Sequence, residues 1–171
     1  MNKELEKLTR DELIEYIRDI CKNWLAIDGT WFLAVEEKYG IKEAIKLDEK
    51  SWERFTVIEA KRIMQRFRIP QGGGISALIK ALKYRVYANI NKQEVIKISE
   101  KRCIFRMNDC RVQSARKRKG LNDFPCKAVG LVEYSGFAKT IDPRIETKCI
   151  CCPPDQHPED FYCAWEFSLK K

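Results

Sequence analysis

Residues 93–107, QEVIKISEKRCIFRM, decide the fold class. Gln93–Ser99 and Arg102–Met107 each alternate apolar and polar side chains with period two, and Glu100-Lys101 lies between them. That pattern predicts two antiparallel strands joined by a tight turn, each with one face set against a core. Two further apolar segments, 145–150 and 161–169 (FYCAWEFSL), read as closing strands.

Upstream the period changes to that of a helix. Thr9 with Glu12 three residues on forms a capping box, and Leu13, Ile14, Ile17, Ile20, Cys21, Trp24 and Leu25 recur at helical spacing. Asp28-Gly29 is expected to break this helix, with Asp28 capping a second one that carries Trp31, Phe32 and Val35 and ends at Gly40. A third helix is expected over 42–67, closed by Pro70 and Gly72-Gly73-Gly74, and a fourth over 75–88. The glycine triplet lacks the Gly-Lys-Ser/Thr ending of a phosphate loop and reads as a linker. Further on, 110–119 reads as a short basic helix, and 124–139 as a helix with Pro125 in its first turn and interruptions at Gly130 and Gly136. A helical half followed by a strand-rich half with inserted helices gives an α+β chain: an N-terminal helical region over 1–90, then an antiparallel sheet with packed helices over 91–171.

The totals suit a folded chain. Its 171 residues are 44% hydrophobic and 34% charged, enough apolar material for one real core. Lys and Arg outnumber Asp and Glu by 33 to 25, a net charge of +8. The charged N-terminus has no apolar export region and no stretch approaches 18 apolar residues, so a cytoplasmic, reducing location without a membrane span is expected. There, clustered cysteines read as metal ligands before disulfides.

Four of the eight cysteines and the only histidine fall in residues 148–163, KCICCPPDQHPEDFYC. Cys149 and Cys152 have C-x2-C spacing, Cys163 opens the last strand, and Cys126 sits at a helix start, where the dipole favours a thiolate. Cys126, Cys149, Cys152 and Cys163 are therefore the candidate ligands of a structural Zn²⁺, with an iron–sulfur cluster as the alternative occupant. Cys151 would share a face with Cys149 in an extended strand and so competes with Cys152; Cys110 competes with Cys126, and His157 is an alternative fourth ligand. Cys21 and Cys103 read as core residues.

Two weaker groups remain. Arg111, Arg116 and Arg118, in the basic run 111–119, could meet a nucleic-acid phosphate or, as well, a small anion such as a carboxylate; with no aromatics interleaved and no reading motif, a solvated charged helix is the default reading and nucleic acid is not favoured. Glu36 and Asp28, among apolar neighbours, are candidate acid/base groups, ranked below the reading in which Asp28 caps a helix and Glu36 meets solvent or a lysine.

The order of parts from 110 to 169 resembles the 4-vinyl reductase domain superfamily: a Cys near a helix start (Cys126), a strand, the Cys149/Cys152 pair, then Cys163 before an aromatic strand. The whole chain looks like a family of uncharacterised prokaryotic cytosolic proteins, on the motifs Asp28-Gly-Thr-Trp-Phe32, Val35-Glu36, the basic run 110–120, Asp123-Phe-Pro-Cys126 and Cys152-Pro-Pro-Asp155. A remote likeness to 2-amino-thiazoline-4-carboxylate hydrolases is also present. The first resemblance implies a small-molecule-binding domain with structural zinc, one of whose ligands is a glutamate where Cys149 stands here. The expected function is accordingly a small-molecule-binding cytosolic protein with a four-cysteine zinc site. The alternatives are a hydrolase of a small heterocycle or carboxylate, and a basic nucleic-acid-associated zinc protein. The expected partner is a small molecule, and a homodimer is compatible with the sequence.

Overall fold

The computed structural model describes residues 3–170. Among them are five α-helices and one four-stranded sheet, with short 3₁₀ turns at Leu5–Lys7 and Val86–Asn89. Strands β1 (Lys92–Ser99), β2 (Arg102–Asp109), β3 (Ile145–Cys151) and β4 (Cys163–Leu169) lie in the order β1-β2-β4-β3, every neighbouring pair antiparallel. The chain is α+β, as its change of period implies.

The inner face of the sheet is set by simple alternation. Cys103, Phe105 and Met107 of β2 stand beside Trp165, Phe167 and Cys163 of β4, with Phe105 paired to Trp165 and Met107 to Cys163. Against this face lies α5 (Lys127–Ile141), which buries Val129, Glu133, Tyr134, Phe137, Ala138 and Ile141. Gly130 and Gly136, expected as interruptions, lie inside an unbroken helix that starts at Lys127, two residues beyond Pro125. They remain glycine because nothing larger fits. A Cβ on Gly130 would stand 2.6 Å from the Trp165 ring, and one on Gly136 would stand 2.7 Å from the Thr56 methyl group. The cost of two helical glycines, about 1 kcal/mol each, is offset by bringing α5 close to both the sheet and α2 (Ile41–Phe67).

The helices before the sheet differ from expectation in two places. α1 runs without a break from Arg10 to Tyr39, opened by the Thr9–Glu12 capping box and closed at Gly40. Asp28 is therefore mid-helix and caps nothing; a single glycine weakens a helix by about 1 kcal/mol, too little to stop a thirty-residue one. α3 is short, Gly74–Leu82, and the expected continuation to 88 is a 3₁₀ turn instead. Asp142 anchors the start of α3. Its carboxylate accepts from the Gly74 amide at 3.0 Å and from the Arg144 amide and guanidinium. Those donors, Arg144 foremost, hold the Asp142 carboxyl down to about 2.

One apolar core joins the two halves of the chain, for it contains Ala60, Ile75, Leu78 and Leu82 together with Phe105, Phe137 and Trp165. A charged group sits within it. Fully buried Arg85 bonds Glu59 through Nε at 2.9 Å, places Nη2 2.7 Å from Glu133, and lies over the Phe137 ring at 4.7 Å. The aromatic cluster Trp24, Trp52, Phe55 and Tyr87 ties α1, α2 and the 3₁₀ turn together, with Trp52 stacked on Tyr87 at 5.6 Å. Among the described residues no helix is long and apolar enough to cross a membrane.

Candidate functional site

The segment after β2 builds the site. Helix α4 (Arg111–Arg118) is followed by a loop that returns to the start of α5. Gln113, fully buried on α4, fastens that loop: its amide oxygen accepts from the Phe124 N–H at 2.8 Å, and its Nε2 donates to the Phe124 carbonyl at 2.9 Å. The same Nε2 lies 3.5 Å from Cys126 Sγ, within donating distance of the sulfur. Cys126 occupies the N-cap position of α5. Across from it stands the β3 exit, where the Lys127 amide donates to the Pro153 carbonyl at 2.9 Å and the Lys127 ammonium pairs with Asp155 at 2.8 Å.

These contacts bring three thiols together. Cys126 Sγ and Cys152 Sγ are 3.5 Å apart. Cys163 lies near enough to Cys152 for the two thiols to act on each other, Cys163 being lowered and Cys152 raised. Cys110 approaches from the start of α4, its thiol pushed up to about 12 by burial. Cys149 is on β3 opposite Trp165, pushed up to about 11 by burial, with Lys127 opposing that shift.

Cys151 faces away. The pairing of β3 with β4 slips between Cys149 and Cys151, so that Cys149 opposes Trp165 and Cys151 opposes the next residue, Ala164. Such a bulge turns the following side chain to the other face. Cys151 then packs with Phe161 and Ala164 in a cluster of its own. The expectation that Cys149 and Cys151 share a face is corrected by that slip. His157 is engaged elsewhere, with Nδ1 2.8 Å from the Pro158 carbonyl, Nε2 3.9 Å from Asp123 and its ring against Tyr162. Cys21 and Cys103 are buried, Cys103 within the main core.

Among the described residues no group of three or more Cys, His, Asp or Glu side chains is placed so that it could hold a metal ion. Thiols are the donor type that a soft divalent ion takes, and one pair here can be compared with such a site. In a tetrahedron with metal–sulfur bonds of about 2.3 Å, neighbouring sulfurs lie about 3.8 Å apart, close to the 3.5 Å between Cys126 and Cys152. The Gln113 N–H is the kind of donor that steadies a ligating thiolate.

The thiols open onto a cavity of about 400 Å³, inside the range of about 300–1,000 Å³ common for ligand pockets. Cys110, Cys126, Cys152 and Cys163 form part of its wall, and Trp52, Tyr87, Phe32, Phe124 and Trp165 supply aromatic surface. Asp28, Asp48 and Glu133 also line it. Burial raises Asp28 and pushes Asp48 up to about 7, with the charges of Asp28 and Glu133 adding to the second shift. Burial raises Glu133 too, against the pull of Arg85. Asp28 thus reaches the cavity from the middle of α1.

Arg111, Arg116 and Arg118 line the same cavity from α4. Arg116 is already engaged. Its Nε donates to the Asn122 carbonyl at 2.9 Å, Nη1 is 3.4 Å from Glu36, and its guanidinium lies over the Phe124 ring. Glu36, which does not line the cavity, is the carboxylate that Arg116 meets. Sequence reasoning missed Asp48, Glu133 and Gln113; each looks like an ordinary helix-surface residue until the packing partners of its helix are known.

Residues 6–169 match the model of DUF6125, a family of unknown function. The chain belongs to this family. No curated protein and no solved structure matches it.

Proposed function

We propose that the protein binds a compact, partly aromatic small molecule in the 400 Å³ cavity, and that a structural zinc ion on the adjoining thiols holds that cavity's wall together. The observation that carries this reading is the cavity itself, with aromatic side chains and a few convergent polar groups on one wall and cysteines from four separate segments on another. Cys126, Cys152 and Cys163 would hold the ion, and Cys149 or Cys110 would complete the set. When bound, zinc would supply a cross-link between α5, the β3 exit and β4, contributing folding free energy directly. The resemblance to 4-vinyl reductase domains points the same way. The arginines of α4 suit a carboxylate or similar anion on the ligand.

Thermal-shift screening of purified protein against aromatic and carboxylate compounds tests the reading. It expects at least one compound that raises the melting temperature in wild type and fails to do so in Ala115→Trp, which fills the cavity from α4. No shift with any compound at millimolar concentration would contradict it.

A second reading, hydrolysis of a small heterocycle or carboxylate, is favoured by one observation. Asp48, pushed up to about 7, faces the cavity beside Asp28 and Glu133 and is suited to exchange a proton near neutral pH. Under that reading Asp48→Asn loses turnover while keeping ligand binding.

A further inference from the structure

We infer that Cys126 and Cys152 are a reversible oxidation site, at which a hydroperoxide closes a disulfide that excludes metal from the same two sulfurs. The metal half of this inference rests on the function proposed above; the disulfide half does not.

Three observations carry it. The two sulfurs are already in contact at 3.5 Å, and both cysteines are free thiols. Their backbones are in register, since the residue after Cys126 donates its amide to the carbonyl of the residue after Cys152 at 2.9 Å. The Lys127–Asp155 ion pair adds a second tie between the same two segments. Closing the bridge takes the sulfurs from 3.5 Å to about 2.05 Å between two segments already tied side by side. Finally, both residues line the cavity, which gives a small peroxide a path to thiols otherwise shielded by the core.

The chemistry balances with one co-reactant. The Cys126 thiolate, only partly buried and in reach of the Gln113 N–H, attacks a peroxide oxygen. The O–O bond breaks, the departing oxygen takes up a proton as an alcohol or water, and a sulfenic acid remains on Cys126. Cys152 attacks that sulfur, the S–S bond forms, and the hydroxyl group leaves as water. Two thiols lose two electrons and two protons, and one hydroperoxide accepts them. A thiol reductant reverses the step by exchange.

Cys152 is in contact with Cys126 at 3.5 Å and also neighbours Cys163, so the bond that forms decides the consequence. A Cys126–Cys152 bridge removes two donors at once and leaves Cys163 without a metal partner. The cavity wall would then be held by a covalent link in place of an ion.

The test uses full-length protein in two forms, stripped of metal under reducing conditions or loaded with zinc, each treated with hydrogen peroxide. Intact mass should show the loss of two hydrogen atoms in the stripped form, and peptide mapping without reductant should join the segments holding Cys126 and Cys152. Bound zinc should slow the reaction by about tenfold or more, because a metal-held thiolate is a poorer nucleophile, and zinc should leave in step with bridge formation. Cys126→Ser should abolish the bridge and Cys103→Ser should leave it unchanged. A bridge mapped to any other pair, or oxidation that runs to sulfinic acid without a bridge, overturns the inference. A bridge that forms equally fast in protein that binds no zinc refutes the metal reading while leaving the oxidation site standing.

Discussion

Two helices of this molecule, α5 and α1, make opposite use of their apolar residues. α5 sits between the sheet and α2 and buries seven of its fifteen residues, including a glutamate and a tyrosine. α1 is twice as long, yet only Cys21 is buried, and Ile17, Ile27 and Trp31 remain 49%, 65% and 72% exposed. Apolar spacing is similar in kind on both helices. Spacing therefore marks where a helix forms, whereas burial depends on what the rest of the chain brings against it.

That contrast can be broken most severely inside α5's environment. Arg85 is the one cation between buried Glu59 and Glu133. Arg85→Met should leave two carboxylates uncompensated and destabilise the protein by about 3–5 kcal/mol, read as a fall in the denaturation midpoint. A loss below 1 kcal/mol would mean the pair is solvated. Gly130→Ala comes next. On an open helix this change stabilises by about 1 kcal/mol; here the new methyl meets Trp165, and chemical denaturation should report a net loss of about 1–3 kcal/mol.

Asp48 gives a pH-dependent test of the cavity. Its carboxyl is raised to about 7 from an ordinary value near 3.8, so the folded state favours the protonated form. The penalty for ionising it is absent at low pH, grows as pH rises toward 7 and is constant beyond. Asp48→Asn should therefore raise the melting temperature at about pH 8 and change it little at about pH 4. An equal effect at both values would show the group to be unperturbed. On α1, Ile27→Gln and Trp31→Ser should each shift stability by no more than about 0.5 kcal/mol. Larger losses would show that this face is covered by something, a second copy of the chain included.

How far the sequence carries depends on the scale of the physics involved. The strand pair at 93–107, the Thr9–Glu12 cap and the helix over 41–67 were legible because period and capping act locally. The break expected at Asp28-Gly29 was misplaced because turn residues weigh little against a long helix continuing on both sides. Gly130 and Gly136 read as interruptions because their real reason, contact with Trp165 and Thr56, joins residues 35 and 80 positions apart in the chain. The face taken by Cys151 depended on a slip in strand register that alternation cannot foresee. For the site, spacing and helix-start position single out Cys126, Cys149, Cys152 and Cys163, of which Cys126 and Cys152 stand 3.5 Å apart, while the carboxylates of the cavity leave no such mark in the sequence. Asp48 and Glu133 acquire their character from α1, α4 and the sheet closing over them.

Quantifying metal in protein purified without chelator tests the central claim most directly. One zinc per chain, reduced to background in the double variant Cys126→Ser/Cys152→Ser, is the result expected. Wild-type protein from zinc-replete cells that carries no metal and takes up none when zinc is added would contradict it.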